Sequence, residues 1–318
     1  NLPPLVTSAP LGEFGIVGQP QTQILVGDQG TNNSWVSGGR LRGGIWFGSQ
    51  QQWGLEVSSF VLGTNRYQVT VQNQGQRGLF RPFVNAAPRD ADGNSVRPSE
   101  DASLLGYTDP QTGPLAVGKI RVASASDFLG AETNFRRSLF ESENARLDFL
   151  FGYRYLRLRE TLVVDDETLV VTNDSQLQFV FGEQGTSQKI FERFETRNEF
   201  HGFNAGWSGE YRLGNLLFNA RASLALGLTK QRIAIAGSTQ VSTPEGTTNS
   251  LGGLLAQPSN IGVERNYALN AVPEVGLKLG YELSSHWRIF GGYNLLVWAN
   301  VARAGEQRVG GRPHAGVE

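Results

Sequence analysis

The sequence predicts an all-β chain: an antiparallel up-and-down transmembrane β-barrel. Three observations predict it. A hairpin pattern, two alternating apolar/polar runs joined by a very short turn, occurs four times. Long Gly/Ser/Thr/Asn-rich stretches separate one hairpin from the next, and short turns at one end with long loops at the other mark such barrels. The runs reach about ten to fourteen residues. That exceeds the roughly five or six usual in soluble sandwiches and approaches what a tilted strand needs to cross a bilayer.

The first hairpin is SWVSGGRLRGGIWFG (34–48) and WGLEVSSFVLG (53–63), joined by SQQQ. The second is LGAETNFRRSLF (129–140) and ARLDFLFGYRYLRL (145–158). HGFNAGWSGEY (201–211) and LLFNARASLALGL (216–228) form the third. VPEVGLKLGYEL (272–283) and HWRIFGGYNLLVW (286–298) form the fourth. Successive side chains of a strand point to opposite faces. From Leu147, one face carries Leu147, Phe149, Phe151, Tyr153 and Tyr155, and the other carries Asp148, Leu150, Gly152, Arg154 and Leu156.

A soluble sandwich also alternates, with its apolar face turned inward. Here the polar face combines Gly with charges of both signs: Arg40, Arg42, Glu56, Glu132, Arg136, Asp148, Arg154, Glu210, Arg221, Glu274, Lys278 and Arg288. Small residues and compensating ions suit a narrow lumen. These residues are the lumen-facing candidates, and ion pairing that fills the lumen is expected over an anion-selective lining. Aromatic residues cluster beside the short turns as girdle candidates: Trp46, Phe47, Trp53, Phe140, Tyr211, Phe218, Tyr281 and Trp287. Others recur at the far strand ends (Phe60, Tyr155, Trp298). Amphipathic rings at headgroup depth form such girdles.

Composition removes several function classes. Gly accounts for 40 of 318 residues, and charged residues for only 18 %. A net charge of −1 suggests no nucleic-acid partner. Absence of Cys excludes a disulfide framework, a thiolate nucleophile and a cysteine metal site. No apolar run approaches the ~20 residues of a spanning helix.

The short turns near 50, 143, 213 and 285 are expected on the periplasmic side. The connections 64–128, 159–200 and 229–271 are expected on the extracellular side. Within them RYQVTV (66–71), AVGKIRVASAS (116–126), ETLVVTN (167–173) and QLQFVFG (176–182) read as strand extensions forming a cap. Eight strands would leave both chain ends on the long-loop side. One further strand at each end, giving about ten in a complete barrel, is therefore expected, with 15–27 and the tail after Arg303 as weak candidates and truncation as the explanation. The chain reads as one domain over 1–318: an N-terminal segment 1–33, barrel hairpins 34–302 and an irregular tail 303–318.

Several of these segments carry a resemblance. SGGRLRGGIWF (37–47), WGLEVSSFVLG (53–63), RPFVNA (81–86), LGAETNFRRSL (129–139), FGYRYLRLRE (151–160) and FERFETRNEFHGF (191–203) occur in order. LGGLLAQPSNIG (251–262) and the stretch 272–307 follow. The sequence resembles the beta-barrel porin-7 family of bacterial outer-membrane barrels from about residue 3 to 307. The resemblance implies an outer-membrane location and, by name, a pore. It supplies no catalytic motif.

No enzyme is expected. The only histidines are His201, His286 and His314. His201, near Glu195 and Glu199, is the one that could face a rim with Asp165 or Asp166, and a surface role without chemistry is preferred. Asp90, Asp92 and Asn94 resemble a calcium loop but lack the glycine placement and closing glutamate of an EF-hand. No metal or cofactor is expected.

The leading function is a narrow pore or a structural surface barrel with a charge-filled lumen. Alternatives are a binding, adhesion or assembly barrel acting through its long loops, a rim hydrolase using His201, and a soluble sandwich. Expected partners are outer-membrane lipid and a second copy of the chain or a neighbouring surface protein.

Overall fold

The computed structural model describes residues 2–10, 13–28, 35–48, 51–73, 77–85, 97, 99–172, 182–284 and 286–306. They form thirteen strands: β1 (Val6–Ala9), β2 (Gln23–Val26), β3 (Gly38–Phe47), β4 (Trp53–Gln72), β5 (Gly78–Asn85), β6 (Ser99–Asp109), β7 (Gly113–Glu141), β8 (Ala145–Val170), β9 (Ser187–Leu213), β10 (Leu216–Thr243), β11 (Gly246–Leu251), β12 (Gly262–Ser284) and β13 (Trp287–Leu296). A 3₁₀ turn, Ala304–Glu306, follows.

The four hairpins are β3–β4, β7–β8, β9–β10 and β12–β13, every neighbour antiparallel. They assemble in the order β13-β12-β10-β9-β8-β7, with β4 and then β3 beyond β7. The expectation of about ten strands is corrected. The five further strands, β1, β2, β5, β6 and β11, lie in the N-terminal segment and the long connections. Of 15–27 only Gln23–Val26 is strand, and past Arg303 the described chain makes a 3₁₀ turn. Nor is the sheet closed: among the described residues β3 and β13 are each paired along one edge only.

The sheet is nevertheless strongly curved. Arg221 on β10 meets Glu56 on β4 at 2.6 Å. Those strands are four steps apart, roughly 19 Å on a flat sheet at the usual spacing. Arg40 on β3 reaches Glu274 on β12 at 3.5 Å, six steps away. Side chains cannot span such gaps unless the sheet rolls towards a cylinder.

Strand length explains the strand count. β8 has 26 residues, about 85 Å of extended chain, whereas roughly 9–11 residues cross a bilayer. Its outward face is apolar from Leu147 to Tyr155 and then polar at Arg157, Arg159, Asp165 and Glu167. β9 and β10 change at the same level, because register aligns Tyr155, His201, Leu228 and Leu269 in one row, while on β12 Arg265 lies beyond that row between Tyr267 and Val263. The long connections thus continue the hydrogen-bonded ladder beyond the apolar band.

The inward face changes in the opposite sense. Near the short turns it is charged; farther up, Ile120, Val122, Leu162, Val164 and Phe194 pack with Leu5, Val6, Val26, Leu79 and Ala256 in one apolar core. The sheet β2-β1-β5-β6, continuing onto β7, supplies the filling from inside. β4 joins this core only because of a bulge between Leu62 and Asn65. One extra residue inverts which parity faces inward, so Glu56 and Ser58 point inward below it and Tyr67, Val69 and Val71 above it.

Between the two zones lies an aromatic layer. Leu156, Phe200, Ala225 and Val272 are buried there with Phe60, Phe128, Leu296 and Trp298 packed against them. Phe128 lies 5.2 Å from Phe60 and 6.2 Å from Trp298, centroid to centroid. A Cβ at Gly130 would collide with the Phe60 ring and Leu156. Gly130→Val should therefore displace this layer and destabilise the fold by about 1–3 kcal/mol, measured as a lower urea midpoint, while Gly39→Ala, in open space, should not.

Candidate functional site

The inward face nearest the short turns carries the chain's densest chemistry. Glu56 receives Arg221 at 2.6 Å, Arg136 at 2.9 Å and the more distant Arg42 at 3.9 Å. Glu132 receives Arg154 at 2.7 Å and Arg221 at 2.9 Å. Glu274 receives Arg154 at 2.6 Å and Arg40 at 3.5 Å. Asp148 takes Arg136 and, at 3.0 Å, Arg146. One connected network results, in which six arginines share these four carboxylates, and at its edge Arg146 also reaches the exposed Glu141 at 3.5 Å. Glu56, Asp148 and Arg154 are at most 3 % exposed. Each carboxylate with two or three guanidiniums gains charge-assisted hydrogen bonds that offset its desolvation.

Parity places these groups together. Every member lies on the inward side of β3, β4, β7, β8, β10 or β12, two residues from another polar or small residue. Nine of the twelve lumen candidates belong to the network: Arg40, Arg42, Glu56, Glu132, Arg136, Asp148, Arg154, Arg221 and Glu274. Three do not. Glu210 is exposed beside a turn, Lys278 lies 5.7 Å from the Phe290 ring, and Arg288 pairs with Glu282 at 2.7 Å. Arg146 was missed although it shares the parity of Asp148 and Arg154.

Above the network the interior is crossed by 298–306. Trp298 donates its indole N–H to Thr229 at 3.1 Å. The Asn198 amide bonds the Ala302 carbonyl and N–H, each at 2.8 Å. Gln231 donates to the Asn300 carbonyl at 2.6 Å, and Arg303 pairs with Glu160 at 2.8 Å.

Higher still, Arg81 of β5 is 1 % exposed and bridges Asp166 of β8, at 2.7 Å, to Glu192 of β9. The other Glu192 oxygen accepts the backbone N–H groups of Leu255 and Ala256. Burial pushes the Asp166 carboxyl above its ordinary value, with Arg81 opposing and Glu192 reinforcing the shift. This triad escaped the sequence reading. Its signal was a lone Arg inside the apolar run GLFRPFV.

The girdle candidates Phe47, Trp53, Phe140, Tyr211, Phe218, Tyr281 and Trp287 are all exposed near the short turns. Trp46 is a correction. It shares the parity of Arg40 and Arg42, faces inward, and lies 3.7 Å from the Arg146 and 5.2 Å from the Arg136 guanidinium. Phe60 and Trp298 likewise belong to the interior layer rather than a far girdle.

His201 points outward at the upper edge of the apolar band, its Nδ1 2.5 Å from the Tyr153 hydroxyl. The grouping with Asp165 or Asp166 does not form: Asp165 pairs with Arg121 on the outer surface and Asp166 is buried under Arg81. Glu199, on the same face, accepts hydrogen bonds from Arg197 at 2.5 Å and from the Tyr155 hydroxyl at 3.2 Å. His286 sits by a short turn, with its N–H to Ser284 Oγ. His314, Asp90, Asp92 and Asn94 lie outside the described residues. Among the described residues no cluster of His, Asp and Glu has metal-site geometry.

No curated protein and no solved structure matches the chain. The model of the family described as "Putative beta barrel porin-7" matches residues 1–308. The whole described fold lies within that match, and the chain belongs to the beta-barrel porin-7 family.

Proposed function

We propose that this protein is a bacterial outer-membrane β-barrel with a filled interior, serving as a structural surface barrel rather than a wide diffusion channel. The observation that carries this reading is the stacking of three layers inside the curved sheet: the arginine–carboxylate network, the aromatic layer and the apolar cap. An open aqueous channel needs a polar, unobstructed lumen. Here the polar part is cross-linked by ion pairs and the upper part is apolar. The outer-membrane assignment rests on family membership and on the apolar outward band about ten residues tall.

A narrow pore is the second reading, favoured by how 298–306 is held. Side-chain hydrogen bonds, one ion pair and the packing of Trp298 and Ala304 hold it across the interior, and among the described residues no strand ladder joins it to the sheet. Planar-bilayer recordings separate the two. The native protein should carry no steady ion current. If the double variant Asn198→Ala/Gln231→Ala also stays silent, the structural reading stands. A current that appears only in that variant identifies a lidded narrow pore, and a steady current in the native protein overturns the filled-interior reading.

A further inference from the structure

On the outward face, just above the apolar band, Arg159 of β8, Arg197 of β9, Arg232 of β10 and Arg265 of β12 stand directly opposite one another in a single cross-strand row. Adjacent strands lie about 4.8 Å apart, so the row is roughly 14 Å long. Like charges directly opposite are unfavourable in a sheet, and here four follow in succession. Compensation from within the chain is partial: Asp127 of β7 stands opposite Arg159 at the end of the row, though its ion pair, at 3.5 Å, is with Arg157. Arg197 pairs with Glu199 at 2.5 Å. Among the described residues Arg159, Arg232 and Arg265 form no ion pair. Four adjacent guanidiniums flanked by Glu199 and Asp127 carry an excess of positive charge, which suits an anionic partner outside the chain.

Its height identifies the partner. The row lies four residues beyond the apolar row of Tyr155, Leu228 and Leu269. That is about 13 Å along the strand, or about 9 Å of height at a 45° tilt, close to the depth of a headgroup layer beyond the hydrocarbon. Guanidinium groups bind phosphate oxygens in bidentate fashion and keep their charge at every relevant pH. Among the described residues the opposite end has no such row: the outward band near the short turns carries Arg137, which lies 5.2 Å from the Trp53 ring.

We propose that this arginine row is a docking surface for the phosphate groups of anionic lipids in the leaflet at the long-connection end. The proposal rests on the membrane reading above. The row grips headgroups around β8, β9, β10 and β12 and sets how deep the barrel sits.

The test uses the full chain reconstituted in phosphatidylcholine vesicles containing spin-labelled phosphatidylglycerol or spin-labelled phosphatidylcholine. Electron spin resonance then reads the motionally restricted fraction of each lipid. The native protein should select phosphatidylglycerol over phosphatidylcholine by about five-fold at low salt, falling steeply as NaCl is raised. The variant Arg159→Gln/Arg197→Gln/Arg232→Gln/Arg265→Gln removes mutual repulsion, so it should fold at least as well, and its selectivity should fall to near one. Equal selectivity in native and variant protein overturns the proposal. So does a native protein that sits in the bilayer without any selectivity, the outcome expected if the row serves an acidic protein instead. A native protein that does not enter vesicles, recovered unbound after flotation, overturns the membrane reading and the lipid site with it.

Discussion

Glu56→Leu should be among the most damaging single substitutions in the chain, costing about 3–5 kcal/mol. Three arginines converge on this carboxylate, and two of them, Arg221 at 2.6 Å and Arg136 at 2.9 Å, bind it closely. The network already holds more arginines than carboxylates, so removing a carboxylate leaves guanidiniums facing one another with no anion between them. Losing a peripheral arginine has a different effect. Arg42 approaches Glu56 only to 3.9 Å and its side chain is 25 % exposed, so Arg42→Gln should stay within about 1 kcal/mol of the native protein. Urea unfolding of the reconstituted protein, followed by loss of heat-modifiable gel migration, provides the comparison. Equal midpoints for the two variants would show that the network contributes charge balance without stability.

Arg81→Met is expected to detach the cap from the sheet, again at about 3–5 kcal/mol. The side chain is the only cation seen between Asp166 and Glu192 among the described residues, and without it two buried carboxylates face each other. Asp166→Asn should be mild, because Arg81 keeps Glu192 and can still donate to the amide oxygen. The pH dependence has a definite sign. The folded Asp166 carboxyl titrates above its unfolded value. Its contribution is therefore fully present below the unfolded value and is lost as pH rises through the folded one. Hydrogen exchange of the β5 amides, corrected for intrinsic exchange, should show cap opening grow over that interval in the native protein and lose this component in Asp166→Asn.

The four hairpins were legible because period-two alternation in a half-buried strand is a local property. Leu147 through Tyr155 and Leu216 through Leu228 announce their apolar faces without any partner. Parity also sorted most charged groups onto the inward side. It would have sorted Trp46 and Phe60 correctly too, since both share the parity of neighbouring charged residues. Proximity to a turn was the weaker guide, because a turn fixes height along the strand and not direction.

Other features were beyond any local pattern. The bulge between Leu62 and Asn65 shifts β4 by one residue, and only pairing with β7 reveals which side its later residues face. Strand count failed for a related reason: stretches rich in Gly, Ser and Thr look like loops, yet their backbones pair with long neighbours that continue the ladder.

By itself, the sequence determined an all-β chain of antiparallel hairpins, the two-faced character of each strand and the identity of most charges on the inward face. These follow from side-chain alternation along a single strand. Only the tertiary structure decided which arginine meets which carboxylate, that Arg81 anchors a cap, that the cap fills the interior, and that four arginines align across four strands. Register and curvature set those contacts, and both arise from pairing between segments tens of residues apart.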